Sequence, residues 1–230
     1  MRLLGIDCSS ENISLAAVED EKILLNMNKK KKKAASQVIV WIKKFLDEKR
    51  LKLNDFDAFV VGAGPGSFTG LRVSFSIIKA FSLALKKPVI SLGSFYSLAY
   101  KVKNRASQIA AFSDAGRDLI YGAVFKVKKE QIRKIKKESF FKLEEFINTF
   151  KGSLFVTYQE HLKEKVLSIF PEVLIYPQNV WPSALFLCKV AEEFFKRKKF
   201  TSLKNLEPIY VYPQECQIKD LSIAKGKKIR

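Results

Sequence analysis

Apolar residues along the chain gather into short runs whose period changes from two to about 3.6 and back. RLLGID at residues 2–7 is a continuous apolar run closed by an aspartate, which predicts a buried strand. Two strand patterns follow, Ile13–Glu19 and Lys22–Asn28, joined by a short turn at Asp20 and Glu21. Ser36–Arg50 has helical periodicity, AFVVG at 58–62 reads as a central strand, and Gly70–Lys86 predicts a second helix. Pro88–Leu92 is a further strand, and 94–103 a connecting helix. The second half begins again in the same way. Gln108–Asp114, Leu119–Val127 and Gln131–Glu138 are strand patterns, Leu143–Phe150 a helix, Leu154–Tyr158 a strand and Glu160–Phe170 a helix. Val173–Tyr176 predicts a strand and Ser183–Lys198 a longer helix.

The order β-β-β-α-β-α thus occurs twice, in lobes spanning 1–103 and 104–230, and predicts a duplicated α/β protein with a cleft between its lobes. Each half opens on a strand that ends in Asp, Asp7 or Asp114. Ile and Ala follow at the same offsets, Ile13 and Ala16 in one half and Ile120 and Ala123 in the other.

Both helices of the first lobe carry more apolar surface than one packing contact requires. In Gly70–Lys86 the apolar arc of Leu71, Val73, Phe75, Ile77, Ile78, Phe81, Ala84 and Leu85 covers roughly 200°. In Ser36–Arg50, Val38, Ile39, Trp41, Ile42, Phe45 and Leu46 form a similar side, with Val40 alone opposite. Either the helices are buried on two sides or they present a surface for association. The second reading nominates Val38, Trp41, Ile42, Phe45, Leu71, Phe75, Ile78 and Phe81 as the partner interface. Periodicity does not separate the sheet-facing from the partner-facing members.

With 47% apolar residues the chain can bury a substantial core, which excludes a disordered protein. No apolar run is long enough to predict a membrane span, and Asp7 interrupts the N-terminus before a signal-peptide core could form, so a cytoplasmic protein is expected. Cys8, Cys188 and Cys216 form no paired spacing, and the single histidine, His161, lies in a polar segment. That pattern predicts neither a disulfide framework nor a metal centre. The net charge of +19 favours polyanionic partners. It divides evenly, +9 over residues 1–103 and +10 over 104–230, and only Lys29–Lys33 forms a block, placed in a loop.

GAGPGSFTGLR at 62–72 is the most informative stretch. A buried strand ends at Gly62, Pro65-Gly66 forces a turn, and Ser67 or Thr69 can cap the following helix. The loop matches neither a Walker A sequence nor G-x-G-x-x-G. Arg72 in the first helical turn opposes the helix dipole, which predicts an anionic partner, either an internal carboxylate such as Asp7, the favoured reading, or a bound group. Asp7 with Ser9 and Ser10, and Asp114 in the second lobe, are candidate cleft residues. Such loops serve either as phosphate contacts or as plain tight turns.

GPGSFTGLR resembles the signature of the TsaB (YeaZ-like) family. IDCSS at 6–10 resembles that family's IDTST opening, DAGRDLIYGAVF at 114–125 its second-lobe opening, and EPIYV at 207–211 its late strand. The resemblance implies the duplicated fold of the actin, sugar-kinase and Hsp70 (ASKHA) superfamily. It also implies a non-catalytic scaffold that binds TsaD as a heterodimer through the first two helices, and that homodimerises when alone. With TsaD and the ATPase TsaE it would support threonylcarbamoyl transfer to adenosine 37 of tRNAs reading codons that start with A. ATP and a metal held by TsaD would serve that complex, the tRNA would be engaged through it, and this chain would hold no cofactor or metal and no catalytic residue. The family's His-Ser pair at the start of the first helix is replaced by Ala35-Ser36, and the H-x-x-x-H of TsaD is absent. A free-standing ATP-dependent phosphotransferase using Asp7 or Asp114 is the alternative. Against it, Gly152 is the single glycine between Ala123 and Lys225, too few for a nucleotide loop in the second lobe.

Overall fold

A computed structural model describes residues 1–20, 22–30 and 37–210. The first sheet comprises β1 (Arg2–Asp7), β2 (Asn12–Glu19), β3 (Lys22–Lys30), β4 (Ala58–Gly62) and β5 (Val89–Leu92), in the order β3-β2-β1-β4-β5. The hairpin strands pair antiparallel, and β1, β4 and β5 run parallel. The second sheet repeats this arrangement with β6 (Gln108–Gly116), β7 (Leu119–Lys128), β8 (Gln131–Lys142) and β9 (Leu154–Val156), in the order β8-β7-β6-β9. The strand expected at Val173–Tyr176 is reduced to one parallel bridge between Ile175 and Phe155, in the place that β5 holds in the first sheet.

Among the described residues the α-helices are α1 (Val38–Lys49), α2 (Phe68–Leu85), α3 (Phe95–Lys101), α4 (Leu143–Thr149), α5 (Glu160–Ile169) and α6 (Ala184–Lys196). Leu4, Ile6, Leu15, Phe59 and Val61 point from one face of the first sheet into Val38, Ile42, Phe45, Phe75 and Ile78 of α1 and α2. The opposite face, with Leu3, Ala16, Val18, Val60 and Ile90, is covered by Ala184, Leu187, Cys188 and Ala191 of α6. The second sheet packs Ile109, Ala111 and Phe125 on α3, and Phe112, Val124 and Phe155 on α4 and α5. The layers are therefore α1 and α2, first sheet, α6 and α3, second sheet, α4 and α5.

The two sheets draw their strands from either side of 103/104. The last helix of each half covers the other half's sheet, so beside the core that each segment builds with its own helices the two share the layer between the sheets. Tyr96 of α3 links the two, with its ring 4.9 Å from Phe125 and 6.3 Å from Phe194. The N-terminus of α6 is fixed by Ser97 Oγ, which accepts from Ser183 N at 3.1 Å, and by Ser14 Oγ, which accepts from Ala184 N at 2.9 Å.

The register also qualifies the matched offsets. Asp7 pairs with Ser14, whereas Asp114 pairs with Ile120 beside a bulge at Gly116, so Ile13 and Ile120 hold different places. The duplication lies in element order and topology.

Gly5 in β1 lets α6 approach: an added Cβ would lie 2.5 Å from Cys188 Sγ and 3.2 Å from Ala184 O. Gly5→Ala is expected to destabilise the protein by about 1–3 kcal/mol, measured as a lower urea midpoint. Adding Cys188→Ala should restore part of that loss. An unchanged midpoint for Gly5→Ala would contradict this packing.

Candidate functional site

The end of β1 and the start of α2 meet at one point. Asp7 is fully buried, and its Oδ1 accepts from Ser9 N at 2.8 Å and from Ser9 Oγ at 2.6 Å. Oδ2 lies against Gly62, where an added Cβ would fall 2.0 Å away, and it has no hydrogen-bond partner. Burial pushes the Asp7 carboxyl above its ordinary range; the Ser9 bonds oppose this, as does the nearby Ser94 hydroxyl, which is not in hydrogen-bonding geometry with Oδ2.

Over this turn the glycine loop closes tightly. Ser67 N donates to Ser9 O at 2.7 Å, and Ser67 caps α2 by accepting from Gly70 N at 3.2 Å. An added Cβ at Gly66 would meet Ser9 O at 1.9 Å, and one at Gly70 would meet Cys8 O at 2.0 Å. Gly66 has φ of 153° and Gly64 of 87°, and Gly64 N donates to Ser94 Oγ at 3.1 Å. The amides of Gly64, Ser67 and Gly70 are thus taken by the chain's own oxygens.

Arg72 does not have the expected partner. Among the described residues no carboxylate lies within salt-bridge distance; its guanidinium stacks instead on Phe68, one turn back, at 3.9 Å from the ring centroid. Its side of α2 is exposed, so water screens the unfavourable dipole term and the ring takes the flat face of the cation.

Asp114 is exposed, unlike Asp7, yet it makes the same local bond: its Oδ1 accepts from Gly116 N at 2.7 Å. Both loops are therefore self-bonded aspartate turns. His161 Nε2 lies 3.8 Å from Asp114 Oδ2. A cleft of about 320 Å³ joins the two turns and brings together Ser9, Ser10 and Asp114, with Asp7 buried beneath. Tyr158 and Trp181, which the sequence did not single out, form its aromatic wall at 5.1 Å. Lys30 lies 5.6 Å from the Trp181 ring and pairs with Glu11 at 2.9 Å. Cys8 and Cys188 are buried thiols pushed well up by burial, hence poor nucleophiles. Among the described residues no three His, Cys, Asp or Glu gather as metal ligands; Cys216 lies outside them. Of the lysine block, Lys29 and Lys30 belong to β3 rather than to a loop, and Lys31–Lys33 lie outside the described residues, as do Ala35 and Ser36.

The nominated interface requires a correction. Val38, Ile42, Phe45, Phe75 and Ile78 are buried in the first lobe's own core, Leu71 is buried against Gly64 of the glycine loop, and Trp41 and Phe81 are half-buried. They are the inward-facing side of each helix. The exposed side of α1 carries Ile39 and Val40, each 57% exposed, beside Lys43, Lys44, Asp47 and Glu48, and that of α2 carries Ser76, Ala80, Ala84 and Leu83, the last 66% exposed. These side chains face outward from one layer. The sequence pattern had put Val40 opposite the core and Ile39 at the margin of the α1 arc, whereas Leu83 lies opposite the apolar arc of α2 and was not among the nominated residues. Length and composition alone would let α2, 18 residues with mean hydropathy 1.4, cross a membrane. Phe75, Ile77 and Ile78, seated on the first sheet, account for much of that apolar character.

Two matched three-helix, mixed-sheet halves with an aspartate turn closing each first strand define the duplicated ASKHA class. The family model described as TsaD, tRNA N6-adenosine threonylcarbamoyltransferase, matches residues 28–214. The chain is 26% identical over 223 residues to the tRNA threonylcarbamoyladenosine biosynthesis protein TsaB of Haemophilus influenzae, covering 92% of this chain and 93% of that protein. It is 28% identical over 127 residues to TsaB of Escherichia coli, where the match covers 54% of this chain and spans about half of that relative, 55%. The solved structure of YeaZ from Pseudomonas aeruginosa superposes with a TM-score of 0.79 at 22% identity, covering 91% of this chain and 99% of that one. The chain belongs to the TsaB (YeaZ-like) family, within the group that the TsaD model describes.

Asp7 gives the site a signed pH dependence. Because its folded pKa lies above the unfolded value near 3.8, the folded state holds the proton more tightly. This contribution to stability is complete below pH 3.8 and is lost as pH rises through the raised folded value. Asp7→Asn keeps an acceptor for Ser9 and removes the buried charge. It is expected to be more stable than the parent at pH 7, with the advantage vanishing near pH 4. Urea unfolding at several pH values measures this; a pH-independent difference would contradict it.

Proposed function

We propose that this chain is a non-catalytic scaffold subunit in the formation of threonylcarbamoyladenosine on tRNA. It binds a TsaD-type catalytic subunit as a heterodimer, helps recruit a TsaE-type ATPase, and supports transfer to adenosine 37. The family and the names of its relatives support the pathway. The observation that carries the scaffold role is the cluster of exposed apolar and small side chains on the outer faces of α1 and α2, bordered on α1 by Lys43, Lys44, Asp47 and Glu48. Ile39, Val40 and Leu83 stand in water there, and small Ser76, Ala80 and Ala84 allow a second pair of helices to approach closely. The same layer can self-associate, which makes a homodimer the resting form of the isolated chain.

The cleft supports the assignment of chemistry to the partner. The glycine-loop amides that a phosphate would use are spent on Ser9 O, Ser67 Oγ and Ser94 Oγ, and the innermost carboxylate is buried under Ser9. ATP and metal then belong to the partner subunit, and this chain works in the same compartment as the tRNA.

Ile39→Asp and Leu83→Asp test the surface. Each places a charge on the outer layer, so each variant should keep its circular dichroism spectrum yet lose capture of a TsaD-type partner by tenfold or more, an order-of-magnitude figure for an unpaired charge buried on association. Phe75→Asp, at a core position 3% exposed, should fail to fold. Full partner binding by both folded variants would overturn the assignment of this surface.

A further inference from the structure

The even division of charge between the halves conceals a concentration that the fold creates. Residues 126–142, spanning the end of β7 and all of β8, contain eight Lys or Arg and two Glu. Both acids are engaged elsewhere. Glu130 turns to Lys103 at 2.6 Å, and Glu138 pairs with Lys134 in the half-buried contact against Gly93 and Tyr96. Register then sorts the remaining cations. Lys126 is opposite Arg133 and Lys128 opposite Gln131, and after a bulge Val124 is opposite Lys136. Cross-strand partners share a face, so Lys126, Lys128, Arg133 and Lys136 project from the same side of the hairpin. That side is the one α4 covers further along the sheet, as shown by Lys136 Nζ, 5.6 Å from the ring of Phe141. Lys129 adds a fifth cation at the turn. All five are exposed, and among the described residues none has a carboxylate within salt-bridge distance.

One or two lysines on an edge strand suffice to prevent strand pairing with another molecule. Five without counter-charges exceed that need and repel one another, at a cost that an external polyanion would offset. We propose that this face of the β7–β8 hairpin is a direct contact for the RNA phosphate backbone. This rests on the reading of the chain as a tRNA-modification scaffold. A row of cations on an extended strand, with no exposed aromatic ring among them to stack on bases, reads phosphates and not sequence. A membrane surface is less suited, because Ile135 is the single exposed large apolar residue of the hairpin, too little to insert. The hairpin lies on the second sheet's edge, with two layers between it and α1 and α2, so RNA and a partner subunit can be held together.

The test uses the full chain and a fluorescently labelled unmodified tRNA transcript, with binding followed by anisotropy from low to moderate salt. The quadruple variant Lys126→Gln, Lys128→Gln, Arg133→Gln, Lys136→Gln is compared with a control that loses the same charge from scattered exposed sites, Lys22→Gln, Lys52→Gln, Lys165→Gln, Lys204→Gln. The hairpin variant is expected to bind about tenfold or more weakly, and its log K against log salt to become shallower by about three to four. The control should stay close to the parent, and polyglutamate of matched charge should compete poorly. Equal loss in both variants would assign binding to net charge and overturn the proposal. Effective competition by polyglutamate would overturn it in favour of an acidic protein surface. Capture of the TsaD-type partner by the hairpin variant is measured in parallel. Retained capture with lost RNA binding supports the contact independently, whereas a parent protein that binds RNA but captures no partner leaves the contact standing and removes the scaffold reading.

Discussion

The hydrogen bond from Ser67 N to Ser9 O, 2.7 Å long, joins the end of β1 to the start of α2 in a space that admits no Cβ at Gly66 or Gly70. Much of the first lobe depends on it. It sets the depth at which α2 enters, and so which side of that helix meets the sheet: Phe75, Ile77 and Ile78 go in, and Ser76, Ala80 and Leu83 stay out. It also places Ser9 over Asp7, closing the floor of the cleft. A loop that looks built for phosphate is filled by backbone, and the conformational freedom of glycine serves packing. The same contact thereby shapes both the outer helical layer and the cleft.

The middle layer is the second constraint. Because α3 and α6 lie between the sheets and each covers the other half's strands, the halves cannot drift apart without exposing both cores. The shared layer leaves two regions free to differ without disturbing the core: the outer faces of α1 and α2 at one end, and the β7–β8 hairpin on the far sheet.

Much of this was legible in the amino-acid pattern. The strand runs, the helix positions and their doubled order were all marked by period and by Asp, Gly and Pro punctuation, since these reflect local geometry. The assignment of α6 to the first sheet was not, because an apolar stripe records that a helix is buried and not what buries it. The interface failed for a related reason. An arc of roughly 200° holds both sheet-facing and outward residues, and the largest side chains, Phe45, Phe75 and Ile78, are the ones a core takes first. Arg72 misled because a dipole argument asks for an acid, while a neighbouring ring one turn away, Phe68, was enough for an exposed guanidinium. The basic face was hidden by counting along the chain: β8 register alone brings Lys126, Lys128, Arg133 and Lys136 to one side.

The central claim is that this chain does no chemistry itself and is nevertheless required for it. The direct measurement is threonylcarbamoyladenosine formed on a tRNA transcript by a TsaD-type subunit, a TsaE-type ATPase and threonylcarbamoyl-adenylate, with and without this chain. The account predicts little or no modified adenosine without it, restoration at stoichiometric amounts, and no product from this chain when the TsaD-type subunit is left out. Full modification in its absence, or product formed by this chain alone, would contradict it.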